Sequence, residues 1–485
     1  MSTLQKPYRL THWVGGEPIV DPASSCLPNI NPATGETIGE VPIATAHVID
    51  QAVQAAQQAF SSWSALPAEE RSHWLNRLAD AIESDSDALA LAETTDSGKP
   101  LWLSQKMDIP RAASNFRFFA AAATQFASES HSGPSSIDYT LRQPLGVVGC
   151  ISPWNLPIYL FTWKIAPALA AGNTVVAKPS EVTPSTAYLL GALMKRIGFP
   201  KGVLNIVQGD GPTTGESIVI HPQIKAISFT GSTRAGQRIA SLLAPQLKKY
   251  SLELGGKNAA VIFSDANLDH AVKETVRSAF TNQGEICLCT SRILVEQSIY
   301  DRFRSAFVER VKQLTVGDPL DDSSKQGALV SSSHFEKVRQ CVDRARQEGG
   351  KILIGGEPFA AAGSCAMGFF YKPTVIEGLG PDTQTNQEEI FGPVATLQPF
   401  QNETQAIELA NHSGYGLAAT VWTTDLQKAH RVATSIQAGI VWVNSWLYRD
   451  LRTPFGGVKN SGLGREGGWE AMRFFTEPKN ISIRF

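Results

Sequence analysis

The chain has 485 residues, 42% of them apolar and 18% charged, with 40 glycines and 28 prolines. At roughly 100–200 residues per domain, this length predicts two or three domains with cores of their own, which excludes a disordered scaffold. The 43 basic and 45 acidic side chains leave a formal charge of -2, with no basic excess or like-charge block to attract nucleic acid.

In chain order, the stretch opening at Met1 lacks the continuous apolar core of a secretory signal. From about Ala44 to Gln125 the pattern is helical, with apolar residues at helical spacing through Val48–Phe60. Ile137–Leu141 is strand-like but stands apart, free to pair with the following sheet or with another subunit. Between about Leu145 and Phe263 short apolar runs predict buried strands at 147–151, 174–177, 203–207 and 226–229. Helices are expected between them at Ser185–Ile197 and Ala235–Leu243. A second alternating zone, about Ala259 to Val443, has strand candidates at 259–263, 293–295, 352–354 and 440–443, and Phe474–Phe485 reads as a terminal strand. Such alternation argues for two α/β units with parallel sheets and a small β appendage. Gly146–Gly172 is the most apolar stretch, but Pro153, Asn155, Pro157, Lys164 and Pro167 interrupt it, so a buried active-site region is expected rather than a membrane span. The six cysteines (Cys26, Cys150, Cys287, Cys289, Cys341, Cys365) suit neither a disulfide framework nor a zinc site, so a reducing cytoplasm and no metal are expected.

Five segments carry candidate chemistry. Ser152-Pro153-Trp154-Asn155 follows a strand directly, and an Asn amide held between prolines suits a developing oxyanion, or is merely a Pro-rich turn. Lys178 and Glu181 follow another strand; they could hold ribose hydroxyls, the carboxylate disfavouring a 2′-phosphate, or form a surface ion pair. Ile227 to Gly236 is strand, tight turn and helix start, with Gly231 and Ser232 placed to meet a pyrophosphate, though Gly-x-x-x-x-Gly departs from the usual fingerprint. Glu253 lies between two leucines before Gly255-Gly256; apolar surroundings would raise its pKa and fit it for base work, unless it is a structural Glu paired with Lys. Cys287 follows Gly284 at a turn, as a nucleophile or as a small buried apolar residue.

Together, Pro153-Trp154-Asn155, Lys178 to Glu181, Phe229 to Ser232, Leu252 to Lys257, the Cys287 segment, Glu389 to Pro393 and Pro454 to Gly457 resemble the aldehyde dehydrogenase superfamily, in the family's order along nearly the whole chain. The resemblance implies a Rossmann-type NAD domain (1–126 and 143–254), an α/β catalytic domain (255–455) and a β oligomerisation extension (127–142 and 456–485). It implies Cys287 as nucleophile, Asn155 with the Cys287 amide as oxyanion donors, and Glu253 as the base that hydrolyses a thioester. It places Trp154, Lys178, Glu181, Gly231, Ser232, Glu389 and Phe391 at the cofactor NAD, and it implies a homodimer or homotetramer.

Within the superfamily, 108–111, 115–119, 151–157, 282–289 and 451–457 resemble the 2-aminomuconic/2-hydroxymuconic semialdehyde dehydrogenase branch. Arg111 and Arg449 fall where the family borders its substrate tunnel. Guanidinium forks bind carboxylates bidentately, so the pair is expected to select a small-molecule semialdehyde carrying a carboxylate. Arg117 and Arg452 are alternates; Arg449 could instead pair with Asp450, and Arg111 could pack as part of a helix cap. A broad or betaine-type aldehyde dehydrogenase and a catalytically idle relative are the competing expectations. A CoA-acylating enzyme is disfavoured by Glu253.

Overall fold

The computed structural model describes residues 7–485, so the expectation drawn from the first six residues lies outside them. The first sheet has eight strands. In chain order these begin with β1 (His12–Val14) and β2 (Glu17–Ile19). The helices α1 (Ala46–Ala65), α2 (Ala68–Ser84), α3 (Ser86–Ser97) and α4 (Ile109–Gln125) follow. A π-helical turn, Ser104–Asp108, leads into α4. Next come β3 (Val147–Ile151), α5 (Pro157–Ala170), β4 (Thr174–Lys178), α6 (Ser185–Ile197), β5 (Leu204–Ile206), β6 (Ile224–Thr230), α7 (Thr233–Leu243) and β7 (Lys249–Glu253).

Central strands of this sheet are unbroken apolar runs because both faces are covered. Side chains alternate across the pleat. Val147, Val176 and Ile227 pack with α1 and α7, whereas Val148, Cys150 and Val175 pack with residues of α2, α4 and α5. All fourteen residues of α5 are buried, which explains its all-round apolar sequence. Among the described residues no helix is long and apolar enough to cross a membrane.

The sheet runs Gly462–Leu463, β7, β6, β3, β4, β5, β1, β2. Its five central strands are parallel, but Gly462–Leu463, β1 and β2 join antiparallel at the edges. The parallel centre is as expected; the antiparallel edge strands were not among the sequence-based candidates, because two-residue and three-residue strands carry too little pattern to be read locally.

A second, seven-stranded sheet holds β8 (Asn258–Ile262), β9 (Thr290–Glu296), β10 (Lys351–Ile354), β11 (Thr374–Glu377), β12 (Val394–Phe400), β13 (Ala418–Trp422) and β14 (Ile440–Val443). Helix α8 (Leu268–Phe280) crosses from β8 to β9. Three of these strands, β11, β12 and β13, were not among the sequence-based candidates. Ser136–Pro144, which contains Ile137–Leu141, pairs along its whole length with Thr476–Arg484 of the same chain, Ile137 opposite Ile483. It therefore joins neither of the two large sheets but lies between the chain's own C-terminal strand and Ser130–Gly133.

Candidate active site

Along the first sheet the chain runs from β3 outward through β4 and β5, then returns to β6 on the other side of β3. At such a reversal the connections diverge and leave a crevice beyond the strands' C-terminal ends. Register sets what lines that edge: Ile151 is level with Lys178 and Phe229, and Thr230 with Glu253. Trp154, Asn155, Lys178, Glu181, Gly231, Ser232 and Glu253 therefore gather there from four segments of sequence. Ser232 caps α7, its hydroxyl accepting from the Ala235 amide at 3.3 Å, and the helix start is open to solvent. A Cβ on Gly236 would meet the Leu254 side chain at 2.5 Å, so this glycine lets α7 lie close on the sheet. Lys178 Nζ donates to Glu181 at 3.2 Å and to the Pro179 carbonyl at 2.9 Å. The buried hydroxyls of Ser152 and Thr230, at the ends of β3 and β6, have no hydrogen-bond partner. A helix N-terminus, a paired cation and carboxylate, and unsatisfied hydroxyls on one crevice fit a dinucleotide.

Trp154 meets Phe391 edge-on at 5.2 Å and the His334 ring at 5.0 Å. His334 Nε2 donates to the Phe391 carbonyl at 2.6 Å, and Phe391 holds a left-handed backbone, φ 62°. Burial lowers the His334 pKa to about 4, so the ring is neutral at physiological pH. The Glu389 carboxylate lies on the Gly255-Gly256 turn: the Gly256 amide donates to it at 2.8 Å, and a Cβ on Gly255 would come within 2.2 Å of it.

The turn before Cys287 is unusual. Asn282 (φ 53°), Gln283 (φ 54°) and Gly284 (φ 72°) are consecutive left-handed residues. A Cβ at 284 would lie 2.2 Å from the Gly392 carbonyl, so Gly284 serves close backbone approach as well as turning. Two side chains fasten this loop to the end of β3. Asn155 Nδ2 donates to the Glu285 carbonyl at 3.0 Å, and Asn282 Nδ2 donates to the Asn155 carbonyl at 3.1 Å. Below the thiol, Asn258 Nδ2 donates to the carbonyls of Cys287 at 2.7 Å and Cys289 at 2.9 Å. Burial first, then the carboxylates of Glu389 and Glu253, push the Cys287 thiol well above its ordinary value, opposed by Arg449. Cys289 is also buried, its sulfur 3.8 Å from the Thr281 carbonyl.

Glu253 is 3% exposed, and neither carboxylate oxygen has a hydrogen-bond partner. No lysine pairs with it directly, so the structural ion-pair reading fails. Burial and the neighbouring Glu466 carboxylate raise its pKa well above the usual range. Oε1 would lie 2.6 Å from a Cβ at Gly456, which accounts for a glycine in the Pro454-to-Gly457 turn. Lys164 Nζ does not reach it, donating instead to Glu466 at 2.6 Å and Ser228 at 3.1 Å.

On the far side of Cys287 an apolar cavity is walled by Met107, Tyr159, Trp163, Leu447, Arg449 and Phe455. Arg449 stands over Phe455 at 4.2 Å and Trp163 at 5.5 Å; Arg111 stands over Tyr159 at 5.2 Å and Trp163 at 5.9 Å. Arg111 Nε and Nη2 are buried without a partner, and burial followed by the nearby Arg449 charge lowers its pKa. Asp450 is taken by Arg452 at 2.6 Å, which frees Arg449 of it. Arg117 is bound on the outside by Asp80 and Glu83, 2.8 and 2.5 Å away. Both alternates are thus removed from the cavity.

The profile of the aldehyde dehydrogenase family matches residues 19–481. The chain belongs to the aldehyde dehydrogenase family. It is similar to mouse 2-aminomuconic semialdehyde dehydrogenase, 50% identical over 98% of each chain. It is also similar to a Pseudomonas 2-hydroxymuconic semialdehyde dehydrogenase, 44% identical over 98% of this chain and 99% of that one. Among solved structures, PnpE from a Pseudomonas species in complex with nicotinamide adenine dinucleotide superposes with a TM-score of 0.95. That pair is 39% identical, over 98% of this chain and 97% of that one.

In this aldehyde dehydrogenase the sequence reading passed over the aromatic walls and His334. Tyr159 and Trp163 are four residues apart on α5 and share a face, a spacing that was visible in the sequence. His334 had no local signal, because only the fold brings it to Trp154.

Proposed function

We propose that the chain oxidises a carboxylate-bearing semialdehyde of the 2-aminomuconic or 2-hydroxymuconic kind to the acid, through a thioester on Cys287. The observation that carries this reading is the pair Arg111 and Arg449, neither in an ion pair with a carboxylate among the described residues, beside a cavity that ends at the thiol. A buried guanidinium without an anion is costly, and a substrate carboxylate removes that cost. The thiol gives up its proton to solvent and the thiolate sulfur adds to the aldehyde carbon, while the carbonyl π pair becomes an oxyanion facing the Asn155 amide and the Cys287 N–H. Trp154, Lys178, Glu181, Gly231, Ser232, Glu389 and Phe391 hold NAD. Bound there, it supplies the acceptor for the hydride that leaves the substrate carbon. Glu253 then takes a proton from water, whose oxygen adds to the thioester carbon. The C–S bond breaks, releasing the acid and restoring the thiol.

On this reading residues 1–126 and 143–254 form the NAD-binding domain, 255–455 the catalytic domain, and 127–142 with 456–485 the extension. Strand 476–484, at the edge of the small sheet it forms with 136–144, offers that edge to a second copy, giving a cytoplasmic homodimer or homotetramer.

Steady-state NADH formation with 2-aminomuconic, 2-hydroxymuconic and succinic semialdehydes, set beside an aliphatic aldehyde and betaine aldehyde, tests the substrate class. The muconic semialdehydes should have the highest kcat/KM. A preference for the neutral or the cationic aldehyde overturns the reading, and no NADH with any of them makes the chain an idle relative. Arg449→Ala should raise KM for the carboxylated substrates and lower kcat/KM roughly 10- to 150-fold, the worth of hydrogen bonds to a charged group of about 1.5–3 kcal/mol. The neutral aldehyde should change far less, and Arg117→Ala should alter neither. Equal losses on charged and neutral aldehydes would sink the carboxylate clamp.

A further inference from the structure

Lys99 is fully buried in the segment joining α3 to the π-helical turn, and the chemistry described so far does not use it. Its ammonium donates to Asp108 Oδ2 at 2.6 Å and to the main-chain carbonyl of Asn155 at 2.9 Å, and lies 4.0 Å from Glu93 Oε1. The Asn155 carbonyl thus receives two donors, Lys99 from one side and Asn282 from the nucleophile loop. Each of the three neighbours is anchored elsewhere. Glu93 accepts from the Thr186 hydroxyl at 2.8 Å and from the Ile158 amide at the start of α5. Asp108 closes the π-helical turn, between Met107 at the cavity and Arg111 three residues on. The residue before the lysine is held by the Ala328 amide, which donates to the Gly98 carbonyl at 3.0 Å.

A buried ammonium with one direct carboxylate partner and one carbonyl partner is a strong, directional clamp. Its removal would leave the Asn155 carbonyl with only the Asn282 donor and Asp108 without its cation. Asn155 sits after Ser152-Pro153-Trp154 in a stretch outside any helix or strand, so no ladder hydrogen bonds hold its backbone in place. An oxyanion donor is effective only when its geometry is set before the charge develops.

We propose that Lys99 is a positioning residue for the oxyanion donor: through its bond to the Asn155 carbonyl it fixes where the Asn155 amide points, and through Asp108 it ties that amide to the helix start bearing Arg111. The inference rests on the reading of Asn155 as an oxyanion donor.

A double-mutant cycle with Lys99→Met and Asn155→Ala in the full-length protein, assayed with the preferred semialdehyde and NAD, tests it. Lys99→Met should lower kcat about 10-fold, less than the roughly 10²–10³ expected for Asn155→Ala. KM for aldehyde and for NAD should stay within about twofold. The double variant should be no slower than Asn155→Ala alone, because a residue acting through another adds nothing once the other is gone. If Lys99→Met does not fold, Lys99→Met/Asp108→Asn, which removes the countercharge with the charge, takes its place in the cycle. Multiplicative losses in the double variant, or an unchanged kcat in the lysine variant, overturn the role of Lys99. An Asn155→Ala variant with full activity overturns the oxyanion reading instead, so the two failures are distinguishable.

Discussion

Cys287→Ala should reduce NADH formation by about 10⁴-fold or more, leaving a correctly folded protein that still binds NAD. In the proposed mechanism every covalent step runs through this sulfur. Cys289, the nearest other thiol, is buried with its sulfur turned to the Thr281 carbonyl and cannot stand in for it. The same sulfur carries a second expectation. Burial and the two carboxylates Glu389 and Glu253 disfavour the thiolate, so free enzyme holds a protonated thiol at neutral pH. Its alkylation by iodoacetamide should therefore rise about tenfold per pH unit between pH 6 and 9, since the thiolate is the reactive form. Mass spectrometry of the 287 peptide reads both the site and the rate. A rate already level at pH 7 would mean a depressed thiol pKa, and turnover surviving Cys287→Ala would remove the thioester from the mechanism.

Glu253→Gln should lower the steady-state rate by about 10²–10⁴-fold while leaving the first turnover largely intact. The amide can neither take the proton of water nor repel the thiol, so acylation proceeds and hydrolysis stalls. Stopped-flow should show close to one NADH per active site and then a slow phase. The sign of the pH effect follows from the raised carboxyl pKa. Burial and Glu466 keep Glu253 protonated at a pH where an ordinary carboxyl is ionised, and only the ionised form accepts a proton. Wild-type turnover should therefore rise with pH on a limb lying above the usual carboxylate range, and the Gln variant should lose that limb. A variant with an unchanged limb and no burst would assign the base to another group.

Much of this site could be read from residues in a row. Strand-ending turns such as 151–155 and 230–232, the Gly-Gly after Glu253 and the glycine before Cys287 are local chemistry. Their physical demands fall on neighbours a few residues away, and the elements expected at 174–177, 185–197 and 440–443 follow from periodicity in the same way. Packing alone decided which partners distant side chains meet. That Asp450 takes Arg452 and leaves Arg449 over Phe455, that Arg117 faces outward to Asp80, and that the Glu253 carboxylate accepts no hydrogen bond depend on register and crossover geometry. So does the bond between Lys99 and Asn155, 56 residues apart in the chain. The six cysteines and the near-zero net charge suit a reducing compartment and carry no electrostatic signal for nucleic acid. Which sulfur lies near two carboxylates, and which arginines stand without one over the aromatic walls beside it, is a property of the tertiary fold, because burial and pairing are set by what lies across space rather than along the chain.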